Sequence, residues 1–145
     1  MGIKIIATNK KAHHEYFILE SLEAGIALTG TEIKSIRLGK VNMNDSYAQI
    51  KKGELYLINC HISKYDKGNL NNHDELRDRK LLLHKKEIRK WANKLKLEQH
   101  LTIIPLRFYL KDGLCKVEVA LAKGKKLYDK RETLKERDIE RSLRK

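Results

Sequence analysis

The sequence has few of the features that place a protein in a membrane, outside the cell or around a metal ion. It contains one proline and two cysteines in 145 residues, and Cys60 and Cys115 form no CxxC pair. No apolar run approaches the ~18–20 residues that a helix needs to cross a bilayer. The apolar start is also too short for a signal peptide. These absences predict a cytoplasmic chain with reduced thiols, no disulfide framework and no membrane partner.

Acidic residues are scarce relative to basic ones. The chain has 19 Asp and Glu against 32 Lys and Arg, which gives a net charge of +13 and a pI near 9.7. A chain with this charge is attracted to nucleic acid. The tyrosines that lie among basic residues can stack on RNA bases, although each can equally be a core residue with a solvated hydroxyl. Composition therefore favours a small RNA-binding or ribosome-associated domain.

The last part of the chain, residues 123–145, is basic and poor in apolar side chains. It holds ten Lys and Arg against five Asp and Glu. This composition predicts a tail that is disordered in the free protein and orders on a polyanion. Thr133 and Glu136 have the spacing of a capping box, so a helix of marginal length can start there. We therefore divide the chain into a body, 1–122, and a tail, 123–145.

Strand and turn signals dominate the body. The patterns predict a first strand at 3–6, a hairpin made of 16–22 and 26–28, strands at 45–50 and 54–62 around a Lys52-Gly53 turn, a loop at 63–78, and strands at 102–110 and 115–121 around a turn at 111–113. Pro105 indicates an edge strand or a bulge. The two cysteines lie in apolar strand patterns, which predicts that they are buried.

Two helices interrupt the strands. Thr29 and Glu32 form a capping box that begins a short helix, and Gly39 ends it. Apolar residues at helical spacing predict a second helix over about 84–97, with the stripe Ile88, Trp91, Ala92 and Leu95. Six or seven strands, mostly joined by hairpins, form a meander. If the sheet closes into a barrel, its two edge strands pair and no edge stays exposed. We expect a mainly β fold with helices: a small closed antiparallel barrel of the oligonucleotide-binding (OB) type, plus the disordered basic tail.

Groupings that could carry catalysis are weak. There is no phosphate-binding loop and no dinucleotide fingerprint. His73, Asp74 and Asp78 leave open a metal-dependent RNA-processing nuclease, but paired zinc-ligand spacing is missing and these residues also suit a polar loop. A structural ribosomal protein is a third alternative. We expect no cofactor, no metal and no enzymatic activity.

Several sequence blocks occur together in one order along the chain. They are Asn9–Ile18, Glu23–Arg37, Asp45–Tyr47, His73–Asp74, Arg79–His84 and Leu121–Glu132. In these blocks the chain resembles the SsrA-binding protein family, also called small protein B. The likeness runs nearly from end to end, which makes it far more specific than a lone short motif.

The resemblance implies an OB-type barrel with helices and a function without chemistry of its own. Members bind the tRNA-like domain of transfer-messenger RNA (SsrA) and deliver it to ribosomes stalled on a message that lacks a stop codon. The tail is implied to enter the empty mRNA channel of the small subunit and to fold there. We expect this chain to act in the same way in trans-translation, as a monomer.

The resemblance also implies roles for individual residues. The positions matched to RNA binding are Asn9, Glu23, Lys34, Arg37, Leu82, Lys116, Lys123, Lys125 and Lys126. Those matched to the decoding region and message channel of the ribosome are Tyr47, Tyr128, Asp129, Lys130, Arg131, Ile139 and Leu143.

Overall fold

The structure, a computed structural model, describes residues 2–65 and 72–125. Within them lie nine strands and three short or medium helices. In chain order the elements are β1 (Ile3–Thr8), α1 (Ala12–Glu15), β2 (Tyr16–Ile26), α2 (Gly30–Arg37), β3 (Val41–Asn42), β4 (Tyr47–Lys51), β5 (Glu54–Ile58), β6 (His61–Ile62), β7 (Arg79–Leu82), α3 (Lys85–Leu97), β8 (Leu101–Lys111) and β9 (Leu114–Gly124). The prediction of a mainly β fold with helices is confirmed.

Seven of the strands form one antiparallel sheet. Its order is β1-β8-β4-β5-β7-β2-β9, and β9 also pairs with β8, its neighbour in the chain. The longest ladders join β9 to β2 and to β8, each strand having 11 residues. The strands β3 and β6 make a separate two-stranded sheet. The long strand β9 therefore lies between β2 and β8, and these three strands carry much of the candidate site.

Two tight turns set the register of the hairpins. Lys52 and Gly53 have φ values of 52° and 76°, and Asp112 and Gly113 have φ values of 52° and 80°. Two successive residues at positive φ are typical of the type I′ turn, whose twist matches that of the flanking strands. Both hairpin turns predicted at these positions are confirmed.

The main core gathers buried residues of the seven-stranded sheet together with residues of α2 and α3. Ile88 and Trp91 of this helix are buried against strand residues that include Phe108. The predicted apolar stripe of α3 is therefore confirmed. A second, smaller cluster forms where Ala12 of α1 packs on the outer side of β8 and β9. The small side chains Ala120 and Ala122 leave room there for the helix.

The predicted capping box opens α2. The Glu32 amide donates to Thr29 Oγ1 at 3.4 Å, and the Thr29 amide donates to Glu32 Oε1 at 2.9 Å. Gly39 follows the helix at a φ of 76°, as expected of a glycine that ends a helix. The predicted start and end of this helix are therefore confirmed.

One prediction of the sheet is wrong. Residues 16–28 do not form a hairpin, because β2 continues without a turn from Tyr16 to Ile26. The strand pairs with β9 along most of this length, from Tyr16 opposite Gly124 to Gly25 opposite Lys116. Gly25 supplies space for a neighbouring strand rather than a turn, since Leu82 of β7 lies opposite it on the other side. An 11-residue partner distant in sequence overrides the local break signal.

Other boundaries also differ from the predictions. The strand expected at 54–62 divides into β5 and β6 at Asn59, which has a φ of 60°. The ladder shifts register between Pro105 and Arg107, which confirms the bulge, but β8 has neighbours on both sides and is not an edge strand. The strand β9 extends to Gly124, two residues past the expected end of the body. Of the predicted tail, 126–145 lies outside the described residues, and its disorder stays a prediction.

Candidate nucleic-acid interface

Three of the predicted RNA-binding residues meet at one place on the sheet. Lys116 of β9 lies opposite Gly25 of β2, and Gly25 lies opposite Leu82 of β7. Glu23 lies two residues before Gly25, on the same face of β2. These side chains line one open cleft of about 340 Å³, which we call the Glu23 cleft. Its full lining is Glu23, Gly25, Leu82, Leu83, His84, Glu87 and Lys116.

Glu23 is held as an ionised acceptor. The Tyr109 hydroxyl donates to Glu23 Oε1 at 2.6 Å, and Lys111 Nζ lies 3.6 Å from the same oxygen. The hydrogen bond from Tyr109 is the main cause of a lowered pKa at Glu23, with the charges of Lys111 and Lys116 adding to it against a smaller opposing effect of burial. The carboxylate is therefore charged at neutral pH, beside the ammonium group of Lys116.

Leu82 provides an exposed apolar surface beside these charges. The residue is half exposed, at 51%, although its neighbour in the strand, Leu81, is fully buried. It also borders an adjoining groove of about 320 Å³ that runs along Ile33, Leu114 and Lys116. An acceptor, a cation and an exposed apolar side chain thus lie together, which is what recognition of a base, a phosphate and a sugar requires.

The basic residues of α2 lie near this groove. Burial raises the pKa of the Cys115 thiol to about 11, and the charges of Arg37 and Lys116 oppose that rise. Cys115 and Lys116 both line the adjoining groove, and Arg37 is near enough for its charge to act on this thiol. Lys34, one helical turn before Arg37, places its ammonium group 5.5 Å from the centre of the Tyr65 ring. The exposed side of α2 thus extends the basic surface away from the Glu23 cleft.

The remaining predicted RNA contacts lie elsewhere. Lys123 pairs with Phe17 at the start of β2. Lys125 Nζ donates to the His13 carbonyl at 2.8 Å and lies 5.1 Å from the centre of the Phe17 ring. Phe17 and Glu23 are six residues apart on one strand, or about 20 Å at ~3.4 Å per residue. The described basic residues therefore form two groups at opposite ends of β2, and Lys126 lies outside the described residues.

Asn9 is a buried residue. Its side-chain amide donates to the Pro105 carbonyl at 2.9 Å, and its backbone amide donates to the Leu106 carbonyl at 2.8 Å. It lies beside Ala12 of α1, at the β8 bulge, and not in the Glu23 cleft. Asn9 therefore ties α1 to the sheet, and any effect on a ligand would pass through the position of that helix.

Tyr47 borders a second cavity, of about 510 Å³. Its ring is partly exposed, at 42%, and it shares the cavity with Tyr16, His100 and Gly124. Gly124 ends β9, so Tyr47 lies near the C-terminal end of that strand. The other predicted ribosome-facing residues lie outside the described residues: Tyr128, Asp129, Lys130, Arg131, Ile139 and Leu143.

The residues considered for a metal-dependent nuclease have structural contacts. His73 is buried, with its ring nitrogens 2.9 Å from Thr31 Oγ1 and 2.9 Å from the Ile62 carbonyl. Asp74 accepts from the Leu76 amide at 2.9 Å, and Asp78 lies 3.4 Å from Lys51. No group of three or more His, Cys, Asp or Glu that could hold a metal ion occurs in 2–65 and 72–125.

The cysteines are buried, as predicted. Burial is the main cause that raises the pKa of the Cys60 thiol to about 12. A thiol with this pKa is protonated at neutral pH and is a poor nucleophile. Among the helices that the structure describes, none is long and apolar enough to span a bilayer.

Two members of the site, Tyr109 and Lys111, were missed by sequence reasoning. Their alternation with Phe108 and Leu110 could have placed them on the outer face of β8. That Tyr109 meets Glu23, however, depends on β8 and β2 both pairing with β9, which no local pattern predicts.

Comparison with known proteins places the chain in a family. The family model described as SmpB protein matches residues 6–145. The SsrA-binding protein of Geotalea uraniireducens (strain Rf4) is 60% identical over 143 residues, covering 99% of this chain and 94% of the relative. That of Caldicellulosiruptor bescii is 58% identical over 143 residues, covering 99% and 90%.

A solved structure gives the same result. It is described as "tmRNA-SmpB: a journey to the center of the bacterial ribosome", and its matching chain is 49% identical with a TM-score of 0.69. The match covers 82% of this chain and 83% of the other. The family model spans the Glu23 cleft and both ends of β2, so the match includes the whole candidate site. This chain belongs to the SmpB protein family.

Proposed function

We propose that this chain is an RNA-binding factor of trans-translation. It binds the tRNA-like domain of transfer-messenger RNA and delivers it to stalled ribosomes in the cytoplasm. The observation that carries the proposal is the meeting of Glu23, Leu82 and Lys116 in one cleft of a chain from the SmpB family. The names of the relatives and of the similar solved structure, which mention SsrA, tmRNA and the bacterial ribosome, support this RNA and this place of action.

The Glu23 cleft suits recognition of folded RNA without catalysis. Lys116 supplies a cation for a phosphate, and Glu23 supplies an acceptor for a base amino group or a ribose hydroxyl. Leu82 offers apolar contact to a sugar or an unstacked base. Each of these interactions binds and orients an RNA, and none supplies a nucleophile or an acid–base pair.

The second basic group extends the RNA surface along β2. In our proposal Lys34 and Arg37 contact phosphates near the Glu23 cleft, and Lys123 and Lys125 contact phosphates about 20 Å away. Lys126, outside the described residues, is also proposed to contact phosphate. Such a separation suits a structured RNA arm. Asn9 contributes indirectly, by fixing α1 beside Lys125.

We also propose that the sheet is a closed barrel of the OB type. Pairings lead from β8 through β4, β5, β7, β2 and β9 and return to β8, which supports closure. Partly closed barrels of this type commonly bind oligonucleotides on their surface.

The tail is proposed to act on the ribosome. The residues after Lys126 would enter the empty mRNA channel of the small subunit and fold there as a helix, with Ile139 and Leu143 on its apolar side. Tyr47 would face the decoding region together with Tyr128, Asp129, Lys130 and Arg131. The position of Tyr47 beside Gly124, at the end of β9, supports a shared role for Tyr47 and the residues that follow this strand.

A reconstituted translation reaction tests the function. Ribosomes stalled on a message without a stop codon should add the encoded tag when both transfer-messenger RNA and this protein are present, and should not when the protein is absent. Tag addition that is equal with and without the protein would contradict the proposal. Stoichiometric binding to all translating ribosomes, with or without a stall, would favour a structural ribosomal protein.

A further inference from the structure

Tyr109 lies on the outer face of the sheet but is almost completely buried. It lies in β8 between Ile5 of β1 and Lys116 of β9, its direct neighbours in the two ladders. The residue is only 5% exposed, although it faces away from the core residue Phe108. Its hydroxyl donates to Glu23 Oε1 at 2.6 Å. Tyr109 therefore reaches across β9 to a residue on β2, 86 positions away.

The surrounding charges favour this contact. Arg107 donates to Glu118 at 2.8 Å, and its guanidinium lies 5.9 Å from the centre of the Tyr109 ring. Glu118 is the residue directly opposite Glu23 in the ladder, so Arg107 offsets the repulsion between the two carboxylates. Lys111 Nζ lies 3.6 Å from the oxygen that Tyr109 also contacts. The ring of Tyr109 is thus held by Arg107, and its hydroxyl by Glu23.

Both contacts to the Glu23 carboxylate fall on the same oxygen. The hydrogen bond from Tyr109 and the ion pair with Lys111 both involve Oε1, and within residues 2–65 and 72–125 no hydrogen bond to Oε2 is found. An ionised carboxylate accepts hydrogen bonds only, through about four lone-pair positions. With Oε1 occupied, the second oxygen is oriented and left available for a donor that enters the Glu23 cleft.

We propose that Tyr109 is a specificity-determining positioning residue, which fixes Glu23 so that Oε2 accepts a hydrogen bond from an RNA donor. The donor is an exocyclic amino group of a base or a ribose 2′-hydroxyl, both of which can donate a hydrogen bond to a carboxylate. Tyr109 itself is too buried to serve as a stacking surface. This inference rests on the proposed function, and it adds a residue that selects RNA through another side chain.

The contribution of Tyr109 differs in kind from that of Lys116. A lysine that contacts phosphate binds any RNA and contributes about one unit to the slope of log affinity against log salt concentration. A residue that positions an acceptor changes affinity only for an RNA whose fold presents a donor to Oε2 in the Glu23 cleft, and it leaves the salt slope unchanged. The two roles are therefore separable in one set of titrations.

The test is Tyr109→Phe, which removes one oxygen and keeps the ring. Affinity for the tRNA-like domain should fall roughly tenfold, as expected for a hydrogen bond to a charged group, while affinity for a random duplex of equal length stays within about twofold of wild type. Tyr56→Phe, on β5 outside the cleft, is the matched control and should change neither. Lys116→Gln should weaken binding to both RNAs and reduce the salt slope.

A double-mutant comparison excludes a merely structural effect. In a Glu23→Ala background, Tyr109→Phe should have no further effect on binding, because the carboxylate it positions is gone. A tenfold loss that persists in that background would overturn the inference. So would a Tyr109→Phe protein that keeps wild-type preference for the tRNA-like domain. If the wild-type protein itself does not prefer the tRNA-like domain over the random duplex, the proposed function is wrong. That result is distinguishable from failure of this inference, because it is seen without any variant.

Modified RNA shows whether the group that donates to Glu23 belongs to a ribose or to a base. Single 2′-deoxy substitutions and base analogues that lack an amino group are placed along the acceptor and elbow region. One of them should weaken wild-type binding about as much as Tyr109→Phe does, and should have no added effect in that variant. A 2′-deoxy position identifies a ribose donor and an amino-lacking position identifies a base. If no substitution behaves this way, Glu23 reads no donor and the inference is wrong.

Discussion

Leu82 packs directly over the backbone of Gly25, so that a Cβ added to Gly25 would lie 3.2 Å from the Leu82 Cβ. This distance is tighter than an ordinary contact, and the two strands could accept an alanine only if Leu82 moved. The exposed apolar side chain of the Glu23 cleft therefore takes its position from a glycine on the neighbouring strand.

Gly25→Ala should separate RNA binding from folding. The free energy of unfolding is expected to change by less than about 1 kcal/mol, since Leu82 is half exposed and can tilt. The displaced side chain should lower affinity for the tRNA-like domain several-fold. Chemical denaturation and RNA titration measure the two effects. Gly30→Ala is a control, because nothing lies within 4 Å of a Cβ there; equal loss of affinity in both variants would contradict the account.

Leu82→Ala examines the same contact from the other side. Because 51% of Leu82 is exposed, the truncation should reduce stability only slightly, by about 1 kcal/mol or less. Affinity for the tRNA-like domain should fall by about tenfold. The exposed Leu97 at the end of α3 gives a control, Leu97→Ala, that should leave both quantities unchanged. If Leu82→Ala binds like wild type, Leu82 has no part in the interface.

The buried pair between Glu32 and Arg79 is expected to stabilise the body. Both side chains are fully buried, and Glu32 also accepts from Arg77 at 2.6 Å. Removing one charge leaves the other buried and unpaired, so Glu32→Gln should lower the free energy of unfolding by about 3–5 kcal/mol. Asp78→Asn, in an exposed ion pair with Lys51, should cost less than about 1 kcal/mol. Urea denaturation of both variants measures this difference, and equal losses would be inconsistent with the buried network.

The effect of Glu32 should depend on pH. Burial alone raises the pKa of Glu32, but hydrogen bonds from Arg77, the Thr29 amide and Arg79 outweigh it and leave the pKa below the ordinary value of 4.5. A lowered pKa in the folded state adds stability above the pKa of the unfolded chain, and this stability is lost as pH falls through the folded value. The stability difference between wild type and Glu32→Gln should thus be constant above pH ~5.5 and shrink below pH ~4.5. A stability difference that grows on acidification would show that the pKa of Glu32 is raised in the folded state.

Deleting residues 126–145 should separate RNA binding from ribosome rescue. The Glu23 cleft and Lys125 remain in the shortened chain, so its affinity for the tRNA-like domain should stay within about threefold of the full chain, the loss reflecting fewer cations. Tag addition on stalled ribosomes should stop. Filter binding and a reconstituted tagging reaction measure the two. Loss of both activities in parallel would mean that the tail belongs to the RNA-binding surface.

Local patterns in the sequence predict part of this molecule correctly. The capping box at Thr29, the stripe around Trp91 and the Lys52-Gly53 and Asp112-Gly113 turns each depend on residues close together in the chain. The continuous strand β2 was missed because its length follows from pairing with β9, about 100 residues later. Local propensity signals at Gly25 could not reveal that partner.

In the candidate site, too, some residues could be identified from the sequence, whereas some contacts could not. Resemblance to a family suggested Glu23, Leu82 and Lys116, and the sheet register brings them together. The burial of Asn9 and the contact between Tyr109 and Glu23 depend on how β1, β8 and β9 pair. Such contacts join residues 86 and 96 positions apart. They follow from the three-dimensional arrangement rather than from any pattern along the chain.

The most direct test of the central claim is a competition titration of the full protein at several salt concentrations. The labelled tRNA-like domain of transfer-messenger RNA competes with a random duplex of equal length and charge. If the Glu23 cleft recognises this RNA, its affinity should exceed that for the duplex by about tenfold or more at every salt concentration, because phosphate contacts alone do not discriminate. Equal affinities across the salt range would show that the protein binds RNA by charge alone, and would contradict the account.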